Sequence, residues 1–264
     1  MKNALIGFTG FVGSTLLRQT SFEALYRSTN IADIEHNIFD TVVCAGAPAQ
    51  KWLANKNPDL DSQKINGLIA HLKTIKCKTF ILISTVDVFK APLGVNESTP
   101  IDIDGLHAYG LNRRRLELFV EKHFENFLIV RLPGLVGPRL RKNIIFDFLN
   151  ENNLHCIDTR SVFQFYPMVN LWFDIQVALK SNLKIIHLTG APLSVADVAL
   201  HGFGIDFERQ LEGSAARYDM QTQYASMFGG KGLYQYSIRE TVQAIRAYAQ
   251  SEPITLKSAT KGAS

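Results

Sequence analysis

The apolar run Ala4-Leu5-Ile6 leads directly into Gly7-Phe8-Thr9-Gly10-Phe11-Val12-Gly13, and a helix-like stretch over 14–19 leads out. Strand, glycine turn and helix in that order confine the chain to folds in which a buried strand hands over to a helix N-terminus. In such a turn Gly7 permits the tight bend, Gly10 lets the backbone approach a phosphate, and Gly13 lets helix and strand pack closely. Backbone N–H groups at the helix start hold a pyrophosphate, so a dinucleotide is the expected ligand. Gly7, Thr9, Gly10, Phe11, Val12 and Gly13 are its expected cradle. The spacing is G-x-x-G-x-x-G rather than G-x-G-x-x-G, and a purely structural turn is the alternative.

Further apolar runs over 24–27, 41–45, 80–84 and 127–131 follow the first, at 4–8. They are continuous rather than alternating, which suits strands covered on both faces of a parallel sheet. Helical patterns over 14–19, 59–76 and 109–124 lie between them. The pattern predicts an α/β chain with a Rossmann-like doubly wound parallel sheet, helices on both faces and a small C-terminal substrate-binding portion. Only residues 28–40 separate the second and third strands, so a helix there is a single turn or absent. Residues 1–140 read as the dinucleotide-binding portion. Residues 141–264 read as a mixed portion packed on it, forming the substrate side and also contributing to the sheet. There, 143–150 and 171–180 look helical, 185–188 looks like a strand, and Ser194 and Ser237 start helices with capping-box patterns.

Apolar residues at 46% and charged residues at 20% of 264 exclude a disordered chain. The net charge of +4 suits an anionic small ligand and is too dispersed for nucleic acid. The compact run Arg113-Arg114-Arg115 reads as a solvated helix face. Cys44, Cys77 and Cys156 lack ligand-pair spacing, so they read as reduced and structural, and no metal is expected. His71, His107, His123 and His187 likewise suggest solvated or core-edge positions. Met1-Lys2-Asn3 runs straight into the first strand without a signal-peptide pattern, and no apolar stretch approaches about 18 residues. A cytoplasmic protein with no membrane partner is expected, its tail at 257–264 fraying.

The ligand edge of such a sheet lies at the C-terminal ends of its strands. The second strand ends Tyr26-Arg27-Ser28, with no acid to meet a ribose 2′-hydroxyl. Arg27 is either a partner for a 2′-phosphate or a solvated strand-end charge, so NADP is favoured over NAD. Asp33 either meets the adenine amino group or caps a helix. Ala45-Gly46-Ala47 either lets a ligand lie against the backbone or makes a tight turn. The fourth strand ends in the two hydroxyls Ser84-Thr85, and a polar loop then runs into Tyr109-Gly-Leu-Asn-Arg113.

Gly7-x-x-Gly10-x-x-Gly13, Ser84-Thr85-x-x-Val88-Phe89, Glu97-x-x-Pro100, Tyr109-Gly110 and Arg131-x-Pro133-x-x-x-Gly137-Pro138 occur in this order over about residues 4–140. Together they resemble the extended short-chain dehydrogenase/reductases, in the branch of NAD(P)-dependent epimerases, dehydratases and reductases acting on nucleotide sugars. The resemblance implies that Thr85 hydrogen-bonds the substrate oxygen and that Tyr109 donates or accepts the proton. It implies that the residue four places after the tyrosine binds the nicotinamide ribose and lowers the tyrosine pKa. A phenol with a pKa of about 10 needs such a cation to act as a base near neutrality. The family has Lys at that place and this chain has Arg113. Arginine keeps the charge on the same helix face but releases no proton.

The implied function is an NAD(P)-dependent oxidoreductase or epimerase-like protein acting on a sugar-derived or nucleotide-sugar carbonyl or alcohol. The alternative is an NAD(P)-binding protein without efficient catalysis, a redox sensor or scaffold. Asn66 falls where the family often has a cofactor-near Asn. Arg139 and Arg141 are candidates for substrate phosphates. Phe163-Gln164-Phe165-Tyr166 either lines a ring pocket or belongs to the core. Relatives also suggest a homodimer through the helices at 59–76 and 109–124.

Overall fold

The computed structural model describes residues 2–254, so the tail at 257–264 lies outside the described residues. In chain order the elements are β1 (Lys2–Ile6), α1 (Phe11–Gln19), β2 (Ala24–Tyr26), β3 (Ile38–Cys44), α2 (Lys51–Lys56), α3 (Pro58–Leu72) and β4 (Lys76–Thr85). Next come β5 (Leu93–Val95), α4 (Ala108–His123), β6 (Phe127–Leu132), β7 (Gly134–Val136), α5 (Ile144–Asn150), β8 (Val162–Phe163) and β9 (Phe165–Pro167). The last are α6 (Leu171–Lys180), β10 (Ile185–His187), β11 (Leu193–Ser194), α7 (Val195–Asp197), β12 (Asp219–Met220) and α8 (Ile238–Ser251).

Six strands form a parallel sheet in the order β10-β6-β4-β3-β1-β2. The chain moves from β1 outward to β2, then returns to the other side of β1 for β3. The sheet's switch point therefore lies between the ends of β1 and β3, with Ile6 opposite Cys44. Ligands of open α/β sheets bind in that crevice.

Strand pleating explains the continuous apolar runs. Ala4, Ile6, Val42, Cys44, Phe80 and Leu82 face Ile65 and Leu72 of α3 and Leu116 and Val120 of α4. Leu5, Val43, Ile81 and Val130 face Leu16 of α1 and Leu171, Ile175 and Ala178 of α6. Each buried Val, Leu, Ile or Phe side chain among them contributes roughly 1.5–3 kcal/mol. A further cluster joins Ile145 and Phe148 of α5 to Val242, Ile245 and Tyr248 of α8.

The expected strands and main helices form, with shifted ends. β1 stops at Ile6 because Gly7 turns the chain at φ +84, so Phe8 lies outside the strand. The first helix starts at Phe11 rather than 14, which puts Phe11, Val12 and Gly13 in its opening turn. The third helix ends at Leu72, not 76, and Lys76 already opens β4. Residues 28–40 hold one 3-10 turn, Ile31–Ile34, as the short connection requires. The helix begun at Ser194 is a single α turn that passes into a π-helix, Val198–Phe203, although the Ser194 cap on Asp197 forms. The capping box of Ser237 and Glu240 is complete. Among the described residues, no helix is long and apolar enough to cross a membrane, and no group of His, Cys, Asp and Glu could hold a metal. The three cysteines are free, but Cys156 is exposed rather than packed.

Candidate active site

The glycine turn sits at the switch point, and its three glycines do different work. A Cβ on Gly7 would strike the Ala45 carbonyl of the neighbouring strand end, and one on Gly13 would strike the backbone of Gly7 and Phe8. Both are therefore demanded by packing. A Cβ on Gly10 would meet only the Gly7 carbonyl, at 3.4 Å. Gly10 is also the N-cap of α1, with no side-chain cap and no acidic residue in the first turn. The positive end of α1 is thus open beside a backbone that a ligand can approach, which is what an anion requires. Small residues at 45–46 serve the crossing of β1 and β3: a Cβ on Gly46 would lie 2.8 Å from the Ile6 side chain.

Thr85 ends β4, and Tyr109 lies in the first turn of α4. Gly110 allows the approach, because a Cβ there would collide with the Asp87 carbonyl. Asn55 of α2 accepts from the Tyr109 amide at 3.0 Å, and His107 caps α4 by accepting from the Gly110 amide at 3.0 Å. Tyr109 is 8% exposed. Burial raises its phenol above the ordinary value, while the Arg113 cation and the polar Thr85 hydroxyl oppose that rise.

Arg113 is not on a solvated face. It is 3% exposed, pairs with buried Asp61 through one terminal nitrogen and donates to the Pro48 carbonyl through the other. Its guanidinium carbon lies 4.0 Å from the centre of the Tyr109 ring, over the ring face. Among the described residues its buried Nε has no hydrogen-bond partner. The basic run is divided: Arg114 pairs with Glu117 and Glu121, and only Arg115 is exposed, donating to Ser62 and Asn66.

Beside Thr85 stands a cluster that the sequence did not single out. Asp87 Oδ1 accepts from Lys51 Nζ at 2.7 Å and from the Tyr218 hydroxyl at 3.2 Å, and Lys51 donates to Tyr218 at 3.2 Å. Lys51 is held above its ordinary pKa: burial lowers it, but Asp87 and Tyr218 outweigh burial. His107 is pushed down by burial and by Lys51.

No family model matches the chain, and no curated protein sequence matches it. Solved structures do. The NAD complex of the Bordetella bronchiseptica enzyme WbmG superposes with a TM-score of 0.73 at 15% identity, covering 97% of this chain and 96% of that one. The dTDP-4-dehydrorhamnose reductase of Bacillus anthracis, in complex with NADP, gives 0.70 at 13% identity over 94% and 98%. The UDP-N-acetylglucosamine 4-epimerase of Methanobrevibacter ruminantium, in complex with UDP-N-acetylmuramic acid, gives 0.71 at 14% identity over 94% and 96%. The chain shares the fold of these three structures, a Rossmann-like doubly wound parallel sheet.

In this fold the remaining expected residues separate into those at the switch-point edge and those elsewhere. Thr9 is exposed on the glycine turn, and Phe11 and Val12 are half-buried in the opening turn of α1. Arg27 and Ser28 are exposed just past β2, whose Tyr26 carbonyl accepts from the Gly7 amide at 2.7 Å. Arg27 makes no ion pair among the described residues. Asn66 departs from expectation: it lies exposed on α3, bonded to Arg115. Gln164, Phe165 and Tyr166 belong to the core, where Tyr166 donates to Asp174 at 2.6 Å. His187 is fully buried rather than at a core edge.

The Arg131 and Glu97 positions of the motif series anchor this edge. Arg131 is 2% exposed and donates twice to Glu117, at 2.9 and 2.8 Å, with Ser84 adding a third bond at 2.6 Å. Glu97 accepts from the His187 amide, the Thr222 hydroxyl and the Gln223 amide, so it ties the loop after β5 to the C-terminal portion. A separate cleft of about 690 Å³ lies towards the opposite edge of the sheet, among Asn3, Thr41, Thr79, Phe127 and Trp172, away from the expected site residues.

Proposed function

We propose that this protein is an NAD(P)-dependent oxidoreductase or epimerase acting on a carbonyl or alcohol of a sugar-derived or nucleotide-sugar substrate, with residues 141–264 as its substrate side. The observation that carries the reading is one edge with two parts. An open, uncapped α1 start with an unobstructed Gly10 lies at the switch point, and a buried Tyr109 in the first turn of α4 lies with Thr85, the end of β4, on the same edge. The residues fit a dinucleotide: Gly10 and the first turn of α1 would hold the pyrophosphate, and the unspent Nε–H of Arg113 suits a ribose oxygen. Arg27, which makes no ion pair among the described residues, favours a 2′-phosphate, and therefore NADP.

When bound, the nicotinamide supplies or accepts a hydride. Thr85 then donates a hydrogen bond to the substrate oxygen and fixes its distance from Tyr109. The phenol, neutral near pH 7 as phenols are, gives its proton to that oxygen as a carbonyl is reduced. Arg113, above the ring face, stabilises the phenolate that remains. A binder without turnover gains no support from this geometry, because a buried proton donor and a hydroxyl stand on one edge beside the open helix start. The exposed Leu60 of α3 and Leu118 of α4 favour those helices as a homodimer seam.

The test is titration of the purified protein with NADPH and with NADH, followed by intrinsic fluorescence quenching. NADPH is expected to bind, and more tightly than NADH. Binding of neither refutes the reading.

A further inference from the structure

Resting on the reading of Tyr109 as the proton-transfer group, we propose that its proton is exchanged with solvent through Thr85, Asp87 and Lys51, and not through position 113. The geometry closes position 113 to that role. Both terminal nitrogens of Arg113 are committed, to Asp61 and to the Pro48 carbonyl, and the guanidinium covers the ring face. A guanidinium also releases no proton near neutral pH.

On the other side of the phenol, Thr85, Asp87 and Lys51 form a bonded run of polar groups. The Thr85 hydroxyl acts on the phenol as a polar neighbour and stands 3.4 Å from Asp87 Oδ2. The other carboxylate oxygen, Oδ1, holds Lys51 at 2.7 Å. The Lys51 side chain is 38% exposed and that of Asp87 16%, so the chain of groups begins inside the site and ends at water. Tyr218 steadies the pair from the C-terminal portion, and its ring centre lies 5.7 Å from that of Phe163. The other titratable groups nearby stand outside this chain: His107 accepts from the Gly110 amide, and Lys142 donates to the Ala49 carbonyl.

After Tyr109 has protonated a substrate oxygen, its phenolate takes the hydroxyl proton of Thr85. Thr85 takes one from Asp87. Asp87 has received that proton from the Lys51 ammonium and presents it by rotation of its carboxyl group. The neutral amine regains a proton from solvent. One proton enters from water for each one consumed, and no electrons move. Oxidation runs the same path backwards. Thr85 and Tyr109 touch the reacting atoms. Asp87 and Lys51 act through them and are positioning and relay residues.

The test needs neither substrate nor cofactor, so its failure is distinct from a failure to bind NADPH. Tyrosine labelled with carbon-13 at Cζ reports hydroxyl exchange in mixed H2O and D2O, with the Tyr109 signal assigned by Tyr109→Phe. Asp87→Asn and Lys51→Met are expected to slow exchange at Tyr109 by about tenfold or more. Lys51→Arg keeps the ion pair but holds its proton, so it should slow exchange equally, and it carries the test should Lys51→Met fail to fold. Lys142→Met should leave the rate unchanged. Unaltered exchange in Asp87→Asn and Lys51→Arg overturns the proposal, and so does equal slowing in Lys142→Met.

Discussion

Replacing Asp61 with Ala exposes how Arg113 is held. The carboxylate and the guanidinium are each 3% exposed, and Asp61 also accepts from Asn112 at 2.8 Å. Removing the acid leaves a buried cation without its counter-charge, a loss of about 3–5 kcal/mol. For a chain of this size each kcal/mol lowers Tm by about 2–4 °C, so a fall of roughly 6–20 °C is expected. The double variant Asp61→Ala, Arg113→Met removes the stranded charge and replaces it with apolar volume. It should recover at least about 2 kcal/mol over the single variant, because burying no pair at all is often as stable as burying one. Urea unfolding followed by far-ultraviolet circular dichroism measures both. A single-variant loss below about 1 kcal/mol would mean that the pair behaves like a surface ion pair. A double variant no more stable than the single would mean that the loss comes from packing. Either result refutes the account of Arg113 as a cation fixed by Asp61.

Gly10→Ala and Gly13→Ala should part company: the first should keep its Tm and lose NADPH affinity about tenfold or more, and the second should lose stability, since its Cβ meets backbone. Fluorescence titration and thermal melts distinguish them. His187 is held down to about 3 by burial and by Arg131, so the folded protein refuses a proton that the unfolded chain accepts below about 6.5. Stability should therefore fall as pH drops from about 6.5 towards 3, by roughly 2 kcal/mol from this group at pH 5, and urea midpoints for His187→Gln should lack that component. Burial pushes the Cys44 thiol up to about 11 and the Cys77 thiol up to about 12, whereas Cys156 is exposed. A thiol reagent should label Cys156 alone in the folded protein, as read by mass spectrometry.

What was legible in the chain was local. Continuous apolar runs mark β1, β3, β4 and β6 because each is covered on both faces, and a short β2–β3 connection leaves room only for a turn. The caps at Ser194 and Ser237 were readable because the donor and acceptor lie within one turn. Helix α2 was missed because six residues between a Pro-containing loop and Pro58 carry no hydrophobic period. The aromatic run at 163–166 could not be assigned from spacing. Its burial depends on Asp174 and on Gln164 bridging Thr189 and Met220.

The candidate site divides along the same line. The residues from Gly7 to Gly13 determined a strand-to-helix turn with an open helix start, since bend, cap and first turn are settled by neighbours in the chain. Thr85 and Tyr109 were identified by motif order. The direction Arg113 faces was decided only when α3 brought Asp61 and the strand-end loop brought Pro48 against it. Lys51, Asp87 and Tyr218 carry no shared motif: 36 positions separate Lys51 from Asp87, and 131 separate Asp87 from Tyr218. They meet because the order of a parallel sheet gathers strand ends from remote parts of the chain. A buried or half-buried charge then takes whichever counter-charge that gathering supplies.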